Sequence, residues 1–229
     1  HGLVLSTLDV ANGEFLAGGD MLMKGASQAG VTNLGRINAI GGDVFLIGRS
    51  VSNSGTVAAP SGTVGIAAGG EVLLTAEANA AGERVFVRAT GAGVSGTGIF
   101  NDGTIEGASV ELKAHGNLYA LAINNKGTIR ATGTENRGGR VFLDAPGGKI
   151  SNTGTLIAKG TDPARAAGVL INAAFAKVDG QIRASHEDGS GGEIRISATD
   201  LASVGGTLDA SGSENAGGSV IVEGSTVEV

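Results

Sequence analysis

The chain has no cysteine and no tryptophan. Without cysteine it forms no disulfide, and cysteine usage says nothing of its redox compartment. Aromatic residues amount to 3%, six Phe and one Tyr. A compact domain of 229 residues ordinarily relies on aromatic bulk, so the expected core is narrow and aliphatic. Proline is scarce as well, three residues against 42 glycines, and no three-residue glycine period runs through the chain. That excludes collagen. Charged residues are 17% and hydrophobic residues 41%, which excludes a disordered chain. There is no basic excess: the net charge of −6 argues against nucleic acid as a partner. No apolar run reaches the roughly 18 residues that a membrane-spanning helix needs. The chain opens on His1 rather than Met, as expected of a segment processed or excised from a longer protein.

What is present is a repeat. The phrase Asn-x-Gly-Thr-aliphatic occurs as Asn53-Ser54-Gly55-Thr56-Val57, Asn101-Asp102-Gly103-Thr104-Ile105, Asn125-Lys126-Gly127-Thr128-Ile129 and Asn152-Thr153-Gly154-Thr155-Leu156. An early version is Asn33-Leu34-Gly35-Arg36-Ile37, and later ones decay to Asp179-Gly180-Gln181-Ile182 and Gly205-Gly206-Thr207-Leu208. Glycines 35, 55, 103, 127, 154, 180 and 206 are separated by 20, 48, 24, 27, 26 and 26 residues. The gap of 48 reads as two coils of 24, one of them degenerate. A period of this size marks a solenoid.

A second strand follows at a matching offset and alternates with period two. It places Val141 with Leu143, Ile194 with Ile196, and Val220 with Val222 on one face. Ile129, Leu156, Ile182 and Leu208 form the matching set for the first strand, beside Ala131, Ala158, Ala184 and Ala210. A third short strand carries Ile150, Val178 and Val204. Three short strands per repeat, with no hairpin pairing, predict an all-β fold: a right-handed parallel β-helix. Each coil holds three strands and about 20–27 residues, like residues stack about 4.8 Å apart, and residues 1–229 form one continuous rod roughly 40 Å long with eight or nine coils.

The first third resembles a known family. Gly2-Leu3-Val4-Leu5-Ser6-Thr7-Leu8-Asp9-Val10, Asn12-Gly13-Glu14-Phe15-Leu16-Ala17-Gly18 and Val31 to Ala39 carry the likeness, with Gly41 to Gly48, Val51 to Val57, and Ala67 to Leu74. These segments are similar to the later part of the secretion domain of two-partner secretion exoproteins, the filamentous haemagglutinin family. The likeness covers residues 1–75, and residues 76–229 read as further β-helix coils. The resemblance implies export through a dedicated outer-membrane transporter, a secreted or bacterial cell-surface location, and an adhesin. The Asn-Pro-Asn-Gly segment that normally precedes this region in the family is absent and would lie before His1.

Candidate chemistry is sparse. Glu135, Asp162, Asp188 and Glu214 follow the first strand of successive late repeats at intervals of 27, 26 and 26. Stacking would bring these like charges close together, which favours either splaying into water or sharing a cation. The preferred reading is a solvated acidic edge that opposes lateral aggregation. The other is a weak Ca²⁺-binding edge, although the Gly-Gly-x-Gly-x-Asp nonapeptide of calcium-binding β-rolls is missing. Asn53, Asn101, Asn125 and Asn152 predict an internal asparagine ladder, with amides bonding along the stack. His1, His115 and His186 sit in unrelated positions, and no nucleophile elbow accompanies them. Phe45, Phe86 and Phe142 read as packing residues within strands, and Phe15, Phe100 and Phe175 as core or corner fillers. Sugar-cleaving β-helices need clustered carboxylates and aromatic platforms, which the pattern does not supply, so a non-enzymatic role is expected. Two functions follow. The first is a rigid stalk of a surface adhesin that meets a cell-surface glycan or protein. The second is a self-assembling extracellular fibre joined by end-to-end strand stacking.

Overall fold

The computed structural model describes residues 2–88, 94–134, 138–162 and 165–229. Strands dominate, and most join one large sheet in which every pairing is parallel. The pairings sort into three columns. The first runs from Arg36–Asn38 through the front of Thr56–Ala68 and of Thr104–Ala114. It continues through Thr128–Thr132, Thr155–Gly160, Gln181–His186 and Thr207–Asp209. The second begins at Leu3–Ser6 and Val44–Gly48 and ends at Ser219–Glu223. The third begins at Val31–Asn33 and Val51–Asn53 and ends at Thr226–Glu228.

The alternation of apolar side chains builds the core. Ile129 lies opposite Leu156, Leu156 opposite Ile182, and Ile182 opposite Leu208. The first three are fully buried and Leu208 packs at the edge. Ala131, Ala158 and Ala184 stack two residues further on. Val141 with Leu143 and Ile194 with Ile196 are buried as expected, whereas Val220, in the last described circuit, is exposed. β-branched and leucine side chains suit these half-buried pleated faces, and each fully buried one contributes roughly 1.5–3 kcal/mol.

The asparagine ladder is present and longer than expected. Asn33 donates its side-chain amide to Asn53, Asn53 to Asn101, Asn101 to Asn125, and Asn125 to Asn152, each at 2.7 Å. All five are buried. The ladder stops where Val178 lies opposite Asn152. Val178 therefore belongs to the asparagine position and not beside Ile150, whose partner is Ala176. The register offset is 26 residues at both positions, and Ile150, Val178 and Val204 all lie in the third column, with Val204 opposite Val178.

The repeated glycines stack too. A Cβ at Gly55 would overlap the carbonyl oxygen of Gly35, and the same overlap recurs at Gly103, Gly127, Gly154, Gly180 and Gly206 with the preceding glycine. Positive φ occurs at Gly18, Gly82, Gly147 and Gly189. Close approach of successive backbones, not left-handed geometry, is what requires glycine in this stack.

The gap of 48 is a single circuit. Asn53 pairs directly with Asn101 and Thr56 with Thr104, so no degenerate coil lies between them. The extra length leaves the columns. Glu71–Leu74 and Val85–Arg88 pair antiparallel with each other, and Glu71–Leu74 pairs antiparallel with Met21–Lys24. We call residues 69–88 the strap. It covers the outer side of the second column, where Phe45, Ile47 and Ala67 pack with Leu8, Met23, Val72, Leu74 and Val85 in a second apolar cluster. Val44–Gly48 is thus buried on both faces, which explains its unbroken apolar sequence.

Candidate functional site

Of the acidic edge, Glu135 lies outside the described residues. Asp162 forms an ion pair with Arg165 at 3.5 Å. Asp188 accepts hydrogen bonds from the hydroxyl and amide of its own neighbour Ser190, at 2.7 and 2.9 Å. These bonds hold its carboxyl below the ordinary range. Glu214 is exposed on the adjoining loop, where its amide donates to the carbonyl of Gly189 at 3.2 Å. The carboxylates of Asp162 and Asp188 are thus tied by residues close in sequence. Among the described residues no group of three or more His, Cys, Asp or Glu side chains is arranged to hold a metal ion.

His1 also lies outside the described residues. His186 bridges loops instead, its ring nitrogens within 3.3 Å of Gly191 O and 3.1 Å of Arg165 O. Phe45 and Phe142 are buried as expected. Phe15 is not a core filler: it is 64% exposed on the short helix Asn12–Ala17. Phe175 is 40% exposed and carries Lys149 over its ring, and Phe100 carries Lys126 in the same way.

The densest polar chemistry lies beneath the strap, at residues that no motif singled out. Glu111 projects from the outer face of Thr104–Ala114 and is 0% exposed. Its two carboxylate oxygens accept the backbone N–H groups of Arg84, at 2.9 and 3.1 Å, and of Val85 at 3.0 Å. Burial pushes its carboxyl up to about 7, against the pull of those amides and of Lys113. Lys113, two residues on, is also buried. It pairs with Glu83 of the strap, sits 3.6 Å from Asp144, and lies over the Phe142 ring. Burial works to raise the Glu83 carboxyl, but the bond to Lys113, the charge of Lys113, the Asn79 amide and Arg140 together outweigh it, and the group stays below its usual range. Arg84 pairs with Asp43, donates to Thr75 O at 2.9 Å, and stacks over Phe45. Asp43 in turn accepts the Thr63 amide at 2.7 Å.

In the sequence, Glu111 and Lys113 alternate with Val110 and Leu112 and look like any solvated strand face. The available signal was the 48-residue gap, which supplied enough chain to cover that face.

Beside this seam opens a cleft of about 510 Å³, between strap residues 76–82 and Gly138, Arg140, Arg165 and Ala166. Arg140 ties its walls together by donating to Ala81 O at 2.9 Å and Ala166 O at 3.2 Å. The described lining holds no aromatic ring and no histidine. The buried Tyr119 hydroxyl donates to Arg49 O, and burial raises it to about 12, so it serves as an anchor. Compared with known protein families and with curated proteins, the chain matches none.

Proposed function

We propose that the chain is a right-handed parallel β-helix that serves as a rigid stalk in a secreted bacterial surface adhesin exported by two-partner secretion. The observation that carries this reading is the register. Residues one circuit apart pair in parallel along all three columns, from Arg36–Asn38 to Thr207–Asp209 in the first. Stacked circuits give a structure that is continuous along one axis, with hydrogen-bond ladders running parallel to its length. Such a rod is suited to holding a binding region away from a surface. The likeness of residues 1–75 to secretion domains supports the export route.

Two experiments test it. Coexpression with a two-partner outer-membrane transporter, behind a signal peptide and the transporter-recognition segment of that family, should deliver the chain to the medium or cell surface; retention in the periplasm would contradict the export reading. Purified monomeric chain should bind a cell-surface glycan or protein saturably. Filaments that form with rising concentration and no added ligand would instead favour the end-to-end fibre.

A further inference from the structure

The strap is a separate body laid on the columns, and the seam beneath it carries ionisable groups from both sides. The strap brings Glu83, Arg84 and the amides of Arg84 and Val85. The columns bring Glu111 and Lys113 from Thr104–Ala114, Asp144 from Arg140–Asn152, and Asp43 from the approach to Val44–Gly48. Most of these charges meet an opposite charge across the seam: Arg84 meets Asp43, and Lys113 lies between Glu83 and Asp144. Glu111 differs. It is fully buried, and its hydrogen bonds come from backbone amides of the strap.

We propose that the strap is a flap whose hold on the column face is set by the ionisation of Glu111, tight when the carboxyl is protonated and loosened when it is charged. Lifting the strap returns Glu111 to water, where a carboxylate is hydrated. In the closed seam the same charge is desolvated and Glu83 adds to the burden, while the strap amides of Val85 and Arg84, and Lys113 after them, offset it only in part. An ionised Glu111 therefore gains more from opening than a neutral one. The raised value of about 7 places the change across neutral pH. Opening exposes Phe45, Ile47 and Ala67 together with the apolar side of the strap.

Hydrogen exchange of the full chain tests this, at pH 5 to 8, with rates corrected for intrinsic exchange. Protection of amides in 71–74 and 85–88 should fall by roughly tens of fold from pH 5 to pH 8. Protection in Gly168–Val178, away from the strap, should stay above that of the strap at every pH, and Glu111→Gln should flatten the strap's profile. Strap protection that is flat in the unsubstituted chain would overturn the proposal. So would an equal fall in Glu111→Gln, or strap protection no lower than that of Gly168–Val178. Should Glu111→Gln not fold, carbon-detected titration of Glu111 in the unsubstituted chain decides. A midpoint near neutrality supports the flap, and an ordinary carboxyl midpoint overturns it.

Discussion

Asn125 holds two neighbours at once, accepting from Asn101 and donating to Asn152, both at 2.7 Å. Asn152 stands at the end of the ladder, with one ladder bond and Val178 beyond it. Asn125→Val leaves two buried groups without their strong partner, and Asn152→Val leaves one. Each orphaned buried group costs about 1–3 kcal/mol. Urea unfolding should therefore show Asn125→Val losing about twice as much stability as Asn152→Val; equal losses would mean the ladder is not a chain of coupled bonds. Gly154 is constrained by space: a Cβ there meets the Gly127 carbonyl oxygen and the backbone of Lys126. Gly154→Ala should cost about 2–3 kcal/mol, because backbone in the adjacent circuit must move. The same substitution at Gly217, where a Cβ meets nothing, should be nearly silent. The residue pattern revealed the ladder and the glycine stack, because identical residues at a fixed offset are visible without coordinates. It placed Ile150, Val178 and Val204 in one column but not their register within it, since similarity of side chains does not report register and a two-residue shift keeps the same face buried.

The strap marks the limit of periodicity at the level of elements. Glu71-Val72-Leu73-Leu74 and Val85-Phe86-Val87-Arg88 are short and apolar like the strands of the columns, and their antiparallel pairing leaves no trace in spacing. Chain length alone hinted at an excursion. Replacing 71–88 with a short flexible linker should preserve the parallel ladders, because Asn53 meets Asn101 and Thr56 meets Thr104 without help from the strap. It should also expose Phe45, Ile47 and Ala67 to apolar dyes. Retained β-sheet circular dichroism with new dye fluorescence is the expected result, whereas unfolding would show that the strap is needed by the columns. Glu111 also links folding to pH. Its folded-state value lies above that of the unfolded chain, so its stabilising effect is full below the unfolded value and is lost as pH rises through about 7. Between pH 5 and pH 8 the chain should lose about 2 kcal/mol through this group. Glu111→Gln should remove that part of the pH dependence, as read from urea midpoints at the two pH values.

For the whole molecule, the acids that recur at repeat intervals set a test of the edge itself. Asp162 and Asp188 are each satisfied by a residue close in sequence, Arg165 and Ser190. Calcium titration should leave the melting temperature where it is, as a solvated edge requires; an upward shift would favour a shared cation. The all-β, mostly parallel architecture was legible from composition and repeat, because aliphatic alternation and recurring Asn-x-Gly-Thr impose it locally. The seam of Glu111, Lys113, Asp43 and Arg84 was not, because burial of those charges depends on a segment that folds back from elsewhere in the chain. The central claim is that residues one circuit apart lie directly over one another. Asn38, Ala58, Glu106, Arg130, Ile157, Arg183 and Asp209 occupy one such line. The chain has no cysteine of its own, so spin labels can be placed cleanly at pairs of introduced cysteines. Electron–electron distances should grow by about 4.8 Å per circuit, to about 29 Å between positions 38 and 209 and about 19 Å between 106 and 209. Distances that fail to rise with the number of circuits, or a separation between 38 and 209 longer by a full additional step, would contradict the register.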